Sequence, residues 1–274
     1  MSPDLRPATP AEVDKVWPLA RAAHLFPDLE AMRSFHREAP WRVQLGPSSE
    51  VLVLERWRDH LDILAARGLW AAERDVVWIV EAWRKLGRAH GYGQVLSPLV
   101  AEELERHYER AGLHRHEAVV VLRMDSRAAN ALSPVRPEGV TLGPATGADL
   151  EALVRIDAAC FEPFWAYEPH RLGVPATPGQ RLVVARFEGE VIGYTLSTIE
   201  RGSGTLARLA VAPSFAGRGF GRALLIDAVR GMACAGAGVV SLCTQEQNAA
   251  SRSLYASVGL RELRGRLVLM LGDV

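Results

Sequence analysis

The chain of 274 residues repeats its own pattern, and this repeat limits the folds open to it more than any other feature. LRPAT at residues 5–9 returns as LGPAT at 142–146, and a helix-like stretch with an acidic first turn follows each copy. Further along, YERAGL from Tyr108 returns as YASVGL from Tyr255. A spacing of roughly 140 residues indicates two duplicated domains, because solenoid repeats are much shorter.

Each copy alternates strand-like and helix-like segments. The second copy also has three strand-like segments in succession, at 181–187, 191–200 and 205–211. This order predicts the mixed α/β class, with two tandem domains that each have a mixed, largely antiparallel sheet flanked by helices. Small, polar and proline-containing residues predict a linker at 128–139, between domains at 1–127 and 140–274.

Composition excludes several classes of function. The formal net charge is zero, so the chain lacks the basic field of a nucleic-acid-binding protein. No apolar run approaches the roughly 18 residues of a membrane span, and no signal peptide is visible. The cysteines form no CxxC pair and the histidines no HExxH motif. We therefore expect a cytoplasmic protein with no metal site and no nucleic-acid or membrane partner; its oligomeric state stays open.

Residues 211–225 read VAPSFAGRGFGRALL and join an apolar strand to a predicted helix. The segment is not a Walker loop, since no GK[ST] follows, and the dinucleotide motif GxGxxG lacks its third glycine. Two interpretations stay open. The glycines either form a sharp turn, or they let backbone N–H groups converge on a pyrophosphate at the positive end of the helix. In the second case Arg218 and Arg222 supply charge-assisted contacts.

The segment NAASRSLYASVGL follows at 248–260. Together the two segments resemble the acetyl-CoA-dependent N-acetyltransferases of the GNAT family. Their signature is V-x-P after a strand, then [QR]-x-x-G-x-[GA] opening a helix, and about thirty residues later an Asn with a Tyr seven residues beyond it. Here these two residues are Asn248 and Tyr255. The resemblance is strong over 140–274 and weak over the first copy.

The resemblance implies acetyl-CoA as acyl donor and a set of residues that bind it. Backbone groups of one strand are expected to pair with the pantetheine arm: Leu209, Ala210 and Val211. Backbone amides of the glycine loop are expected to hold the pyrophosphate: Gly217, Arg218, Gly219, Phe220, Gly221 and Arg222. Asn248 is expected to contact coenzyme A near its reactive end, and Tyr255 to protonate the departing thiolate.

The chain departs from the family pattern at two positions. Ala216 stands where the family usually has Arg or Gln, and Cys243 stands where relatives that acetylate ribosomal-protein N-termini have a glutamate base. Structural interpretations also remain open, because Asn248 can be a helix N-cap and Tyr255 a core side chain. We expect Cys243, in an apolar strand, to be buried and inert.

The sequence leaves the acceptor and the general base open. Candidate bases are three carboxylates near the predicted strands or in the aromatic stretch after the first helix: Glu162, Glu190 and Glu200. Aromatic residues of that stretch either line an acceptor pocket or pack in the core: Phe161, Phe164, Trp165 and Tyr167. Arg208 is a candidate partner for an acidic group of the acceptor.

The first copy has AAERD at 71–75 in place of the glycine loop. Glu73 and Asp75 repel phosphate, so we expect no coenzyme A there. The first copy also holds six of the seven tryptophans, which we interpret as core side chains. The chain is thus expected to be an enzyme that acetylates a primary amine of a small molecule or peptide. Alternatives are acetylation of a cysteinyl pseudo-disaccharide, as in the mycothiol synthases whose layout it resembles, or non-catalytic acyl-CoA sensing.

Overall fold

The first copy of the repeat forms seven strands and four helices in the computed structural model, which describes residues 3–173 and 179–274. In chain order they are β1 (Arg6–Pro7), α1 (Pro10–Ala22), α2 (Leu29–Glu38), β2 (Val43–Leu45), β3 (Val51–Arg56), β4 (Ile63–Trp70), α3 (Val76–Ala89), β5 (Gln94–Leu96), β6 (Val100–Ala101), α4 (Glu105–Arg110) and β7 (His114–Asp125).

The second copy repeats this order after a short helix. Its elements are α5 (Ser126–Ala131), β8 (Val140–Pro144), α6 (Leu150–Cys160), β9 (Gln180–Phe187), β10 (Glu190–Glu200), β11 (Ser203–Val211), α7 (Phe220–Cys234), β12 (Val239–Gln245), α8 (Ala249–Val258), β13 (Arg261–Glu262) and β14 (Leu267–Asp273). The predicted mixed α/β class is confirmed.

The repeated motifs act in the same way in both copies. Thr9 and Glu12 form a capping box at the start of α1, and Thr146 and Asp149 form one just before α6. The second motif ends α4 and α8 with a glycine in the left-handed region, at φ 80° for Gly112 and 99° for its counterpart. The same local devices therefore begin and end corresponding helices.

The chain forms two compact units whose bounds differ from those of the sequence copies. The first unit is Met1–Ala118 with Gly265–Val274, and the second is Val119–Arg264. The reason is an exchange of last strands: β7 of the first copy pairs with β12, and β14 of the second pairs with β5. The boundaries expected at 1–127 and 140–274 therefore do not match the units, and α5 covers the start of the expected linker 128–139.

The first unit places helices against a mixed sheet in the order β1-β2-β3-β4-β5-β14. Its pairs are antiparallel except β4 with β5, which is parallel. Ile79 and Trp83 of α3 are fully buried against Leu52, Leu64 and other strand residues. Trp83 thus has the expected core role, while the other five tryptophans of this unit are half-buried.

The second unit has its own mixed sheet, in the order β7-β12-β11-β10-β9-β8. Helix α7 packs on this sheet through Leu224, Leu225 and Ile226, each at most 2% exposed. Burial of each such side chain contributes about 1.5–3 kcal/mol, so this face fixes the start of α7 against the strands. Within residues 3–173 and 179–274 no helix is long and apolar enough to cross a membrane.

Candidate functional site

The second unit has an opening between two parallel strands. Strands β11 and β12 pair over three residues, from Ser203 opposite Val239 to Thr205 opposite Ser241. In the part of the chain that the structure describes, their pairing stops there although both strands continue. The edge of β11 that faces β12 is therefore open from Leu206 to its end.

A β-bulge lies at the point where the strands separate. Leu196 of β10 lies opposite Arg208 and Ser197 opposite Leu206, so Ala207 is an extra residue in β11. A bulge bends its strand and increases the local twist. It thereby turns the end of β11 away from β12 while keeping its pairing with β10.

The backbone groups of β11 alternate between the paired and the open side. The Ala212 N–H donates to the Ile192 carbonyl at 2.8 Å. Because alternate residues of an antiparallel pair share hydrogen bonds, Ala210 also faces β10, while Leu209 and Val211 face the open side. The Val211 carbonyl accepts a hydrogen bond from the Cys160 thiol at 3.2 Å. The expectation for Ala210 thus needs correction, since its backbone groups are used within the sheet.

The glycine loop needs two of its three glycines for backbone conformation. Gly217 and Gly219 have φ of 75° and 83°, and a Cβ on either would meet no atom within 4 Å. Gly221 lies in the first turn of α7, where a Cβ would be 3.5 Å from Leu254, an ordinary contact. The first two glycines are therefore explained by the left-handed conformation.

The loop presents a row of unpaired donors at the start of α7. The first hydrogen bond that closes the helix joins the Ala223 N–H to the Gly219 carbonyl at 3.1 Å. Among the described residues we find no acceptor for the backbone N–H groups of 217–222. Because the helix dipole adds positive potential at this end, the loop is suited to an anion.

The two arginines of the loop contact the protein through their side chains. The Arg218 guanidinium lies 4.8–5.4 Å from the centroids of three phenylalanine rings, those of Phe187, Phe215 and Phe220. The Arg222 guanidinium donates to the hydroxyl and carbonyl oxygens of Ser257, at 2.7 and 3.1 Å. Both guanidinium groups thus lie near the loop and already contact other residues. The backbone N–H groups of the loop are the donors that have no partner.

Asn248 directly precedes α8, the helix that follows β12, and Tyr255 lies on it. The Asn248 Oδ1 accepts the Ser251 N–H at 3.0 Å, so this side chain is the N-cap of α8. Tyr255 is 8% exposed within an apolar cluster that includes Leu122 and Leu242. Burial raises the pKa of Tyr255 above its ordinary value, so the phenol stays protonated at neutral pH.

Cys243 differs from the expectation for it. The residue is exposed, because β12 turns this side chain outward between the buried Leu242 and Thr244. Neighbouring atoms still bury the thiol enough to raise its pKa, which agrees with an unreactive cysteine. Since strand residues alternate between faces, an apolar run in sequence did not fix which face is covered. The thiol is also near enough to Tyr255 to add to the rise in the pKa of that phenol.

Arg208 is part of a buried network and is not directed at an acceptor. Its guanidinium donates to both carboxylate oxygens of Asp157 at 2.7 and 2.8 Å, and to the Trp165 carbonyl at 2.7 Å. The Tyr194 hydroxyl and the Tyr167 N–H also donate to Asp157. Burial alone would raise the pKa of Asp157, but these donors hold it below its ordinary value. The network fixes the segment after α6 to β11.

Asp157 is not among the residues predicted from the sequence, although the sequence contains a signal for it. The carboxylate lies on the buried face of α6 beside Leu153 and Ile156, where a charge needs a partner. Two of the four aromatic residues, Phe161 and Tyr167, lie 3.4 and 4.1 Å from the Arg208 guanidinium. They therefore pack around this cation.

The structure separates the candidate bases by exposure. Glu162 and Glu190 are exposed, and Glu200 is half-buried. The buried carboxylate of the segment after α6 is Glu168, which pairs with the His170 Nε2 at 3.1 Å. No local pattern selects Glu168 among the acidic residues, because a carboxylate in an irregular stretch is usually exposed.

The first unit has carboxylates where the second has the glycine loop. Helix α3 begins at Val76, directly after the turn Glu73–Asp75. The Glu73 carboxylate pairs with the His107 Nε2 at 3.0 Å, and Asp75 accepts the Trp78 indole N–H at 3.2 Å. The expectation of no coenzyme A in this copy stays a prediction.

Comparison with known proteins supports the resemblance seen in the sequence. The model of the acetyltransferase (GNAT) family matches residues 150–260. A mycothiol acetyltransferase of Amycolatopsis mediterranei (strain U-32) is 27% identical over 169 residues, 55% of this chain and 56% of that protein. The match therefore spans about half the length of the curated relative.

Solved structures share the fold along nearly the whole chain. A tandem GNAT protein from the clavulanic acid biosynthesis pathway has a TM-score of 0.72 at 16% identity, covering 99% of this chain and 98% of that one. A GCN5-related N-acetyltransferase from Sphaerobacter thermophilus has a TM-score of 0.63 at 17% identity, covering 99% and 95%. The predicted tandem arrangement is confirmed at the level of the fold.

Proposed function

We propose that the second unit, in which the model of the acetyltransferase (GNAT) family matches residues 150–260, binds acetyl-CoA and acetylates a primary amine. The observation that carries the proposal is the row of N–H groups at 217–222 without acceptors, next to the open edge of β11. When bound, acetyl-CoA supplies an acyl group activated as a thioester.

The residues of this unit fit the cofactor in three places. The N–H groups of 217–222 hold the pyrophosphate, and Arg218 and Arg222 add positive potential. Leu209 pairs with the pantetheine arm through its backbone, as does the N–H of Val211, while Ala210 has no such role. The Oδ1 of Asn248 is used in the helix cap, so its amide N–H₂ is the part assigned to coenzyme A.

Two groups of the chain serve the chemical step. The Tyr255 hydroxyl carries a proton at neutral pH, since burial raises the pKa of the phenol, and delivers it to the leaving sulfur. An N–H of the open part of β11 stabilises the negative charge that develops on the carbonyl oxygen. The amine attacks in its neutral form. At neutral pH this form is more abundant for an α-amine than for a lysine side chain, because the α-amine has the lower pKa.

For the acceptor we propose first the amine of a cysteinyl pseudo-disaccharide. The support is the relative named as a mycothiol acetyltransferase, together with the tandem layout. Other small-molecule or peptide amines are the alternative acceptors. A sensor would bind acetyl-CoA but release no coenzyme A thiol with any of these amines.

The test begins with calorimetric titration of acetyl-CoA into three proteins: wild type, Gly219→Glu and Gly202→Glu. Gly202 is the matched control, since its φ is 76° and a Cβ there also meets nothing within 4 Å. We expect one site in the wild type and in the control, and at least tenfold weaker binding in Gly219→Glu. Equal loss in both variants, or no binding in the wild type, contradicts the proposal.

A second assay separates enzyme from sensor by following thiol release with the acceptor panel. For an enzyme we expect Tyr255→Phe to keep acetyl-CoA affinity within about threefold and to lower kcat by about 100-fold or more. If no acceptor supports turnover in the wild type while binding persists, the sensor is correct.

A further inference from the structure

The second unit has a cavity between α7, β8 and the segment 132–139, which joins α5 to β8. Its volume is about 460 Å³, which is in the range of pockets that bind small molecules. Helix α7 lines it from Ala223 to Cys234, so it is about 16 Å long at the helical rise per residue. None of the described residues that line it belongs to β11, β12 or the glycine loop 217–222. The cavity is therefore separate from the site described above.

One end of the cavity is apolar. Strand β8 begins beside the start of α7, because Val140 pairs with Phe187 and the Phe187 ring lies 5.9 Å from that of Phe220. The side chains that line the cavity at this end are aliphatic: Val140, Leu142, Ala223 and Ile226. Such a wall suits a hydrocarbon chain, because burial of apolar surface is favourable and the wall offers no polar group that needs a partner.

The other end of the cavity has positive charge. Arg230 lines it and donates to the Leu132 carbonyl, which holds the segment 132–139 on the helix. Arg136 of this segment also lines the cavity and is exposed. In the part of the chain that the structure describes, Arg136 has no hydrogen-bond or ion-pair partner. Two guanidinium groups thus lie at the end opposite to the aliphatic wall.

Asp227 lines the cavity as well, but its charge is already balanced. The Arg181 Nη1 lies 2.7 Å from the Asp227 Oδ2. Gly231 leaves room for this pair, because a Cβ there would lie 2.9 Å from the Arg181 Nη1. Glycine is unfavourable inside a helix, so the ion pair explains why this position of α7 has no side chain. The charges of Arg136 and Arg230 therefore remain without a carboxylate among the described residues.

We propose that this cavity binds a small carboxylic acid with an aliphatic chain. The carboxylate accepts hydrogen bonds from Arg136 and from the Arg230 nitrogens other than the one that donates to Leu132. The chain lies against the aliphatic wall formed by β8 and the start of α7. The site does not depend on acetyl-CoA binding, so failure of the function proposed above would leave this proposal unchanged.

The probe is octanoate, titrated into the full chain and followed by calorimetry. Acetate has the charge without the chain and octanamide the chain without the charge, so both should bind about tenfold or more weakly. Arg136→Gln should weaken octanoate binding about fivefold, the effect of one exposed ion pair. Arg127→Gln is the matched control, since it makes the same change on an exposed side chain outside the cavity, and it should have no effect.

Cys234 gives a second measurement on the wild-type chain. This residue is exposed and lines the cavity, and its thiol lies 3.6 Å from the Asn130 Oδ1. Octanoate should slow alkylation of Cys234 by iodoacetamide, followed by mass spectrometry of the peptide that contains it. The effect should be half-maximal at the calorimetric Kd, and octanamide at the same concentration should leave the rate unchanged.

Several outcomes overturn the proposal. They are no binding of octanoate, equal affinity for octanamide, equal affinity of Arg136→Gln and Arg127→Gln for octanoate, and no protection of Cys234. Displacement of octanoate by coenzyme A also overturns it, since the acid would then lie in the opening beside β11. Urea unfolding checks the fold, because both arginines are exposed and their variants should have equal midpoints. A lower midpoint for Arg136→Gln alone would mean a structural role for this side chain instead.

Discussion

Replacement of Arg208 by Met tests the buried network that joins β11 to the segment after α6. The side chains of Arg208 and Asp157 are 6% and 2% exposed, and two short hydrogen bonds join them. Breaking such a pair costs about 3–5 kcal/mol, because the remaining charge is buried without its partner. Asp157 keeps donors from Tyr167 and Tyr194, so we expect the lower end, about 3 kcal/mol.

The assay is urea unfolding of the full chain followed by circular dichroism, with fluorine NMR of Trp165 to report on the second unit. With a slope of about 2 kcal/mol per molar urea, the midpoint of this unit should fall by about 1.5 M. Arg127→Met, the same change on an exposed side chain of this unit, is the control and should shift the midpoint little.

The pH dependence of the stability lost in Arg208→Met is the sharper test of the buried ion pair. In the wild type Arg208 and the other donors keep the pKa of Asp157 below its ordinary value, so the carboxylate is ionised from pH 7 to 4.5. In Arg208→Met burial dominates and raises the pKa of Asp157 above that of the unfolded chain, so the folded variant binds a proton as pH falls. The loss of stability should therefore shrink towards pH 4.5. A loss below about 1 kcal/mol at pH 7, or one independent of pH, refutes a buried ion pair.

Three further predictions follow from single features. Acetyl transfer should rise with pH as the acceptor amine loses its proton and show no decline due to Tyr255 below pH 10, because burial raises the pKa of the phenol; a pH–rate profile checks this. Asp149→Asn should lower the free energy of unfolding by about 1 kcal/mol near neutral pH, measured with urea, by weakening the capping box just before α6 and the pair with Arg186. That loss should vanish towards pH 2, since Arg186 lowers the pKa of Asp149 to about 2. A fragment of residues 140–274 lacks the β7 segment that pairs with β12, so circular dichroism should show less structure than in a fragment of 119–274.

The features that the sequence predicted well depend on local residue chemistry. The signals after LGPAT and in the glycine loop act within a few residues, so the helix after residue 146 and the glycine turn at 217–219 lie where they are expected. The same holds for the tandem layout, because repeated local signals imply repeated elements. The bulge at Ala207 could not be predicted from the sequence, because it depends on the register between β10 and β11.

The features that the sequence could not give depend on pairing between distant residues. Arg208 lies 51 residues from Asp157, so nothing local identified the carboxylate as its partner. The exchange of β7 and β14 has the same cause, because a strand pattern does not name the strand beside it. The expected domain boundaries therefore differ from the compact units, although the elements themselves were found in the expected order.

The two openings show how a duplicated fold can keep a geometry while its chemistry changes. In both units a parallel pair ends after three residues and a single bulge follows, so the open strand edge is set by backbone pairing that many sequences can adopt. The residues at the helix start that follows differ: Gly217 and Gly219 lie there in the second unit, and Glu73 and Asp75 in the first. Two carboxylates at this position oppose an anion, whereas the left-handed glycines leave backbone N–H groups free to face one. The strand geometry is therefore common to both units, and the residues at the helix start decide which ligand charge each opening would accept.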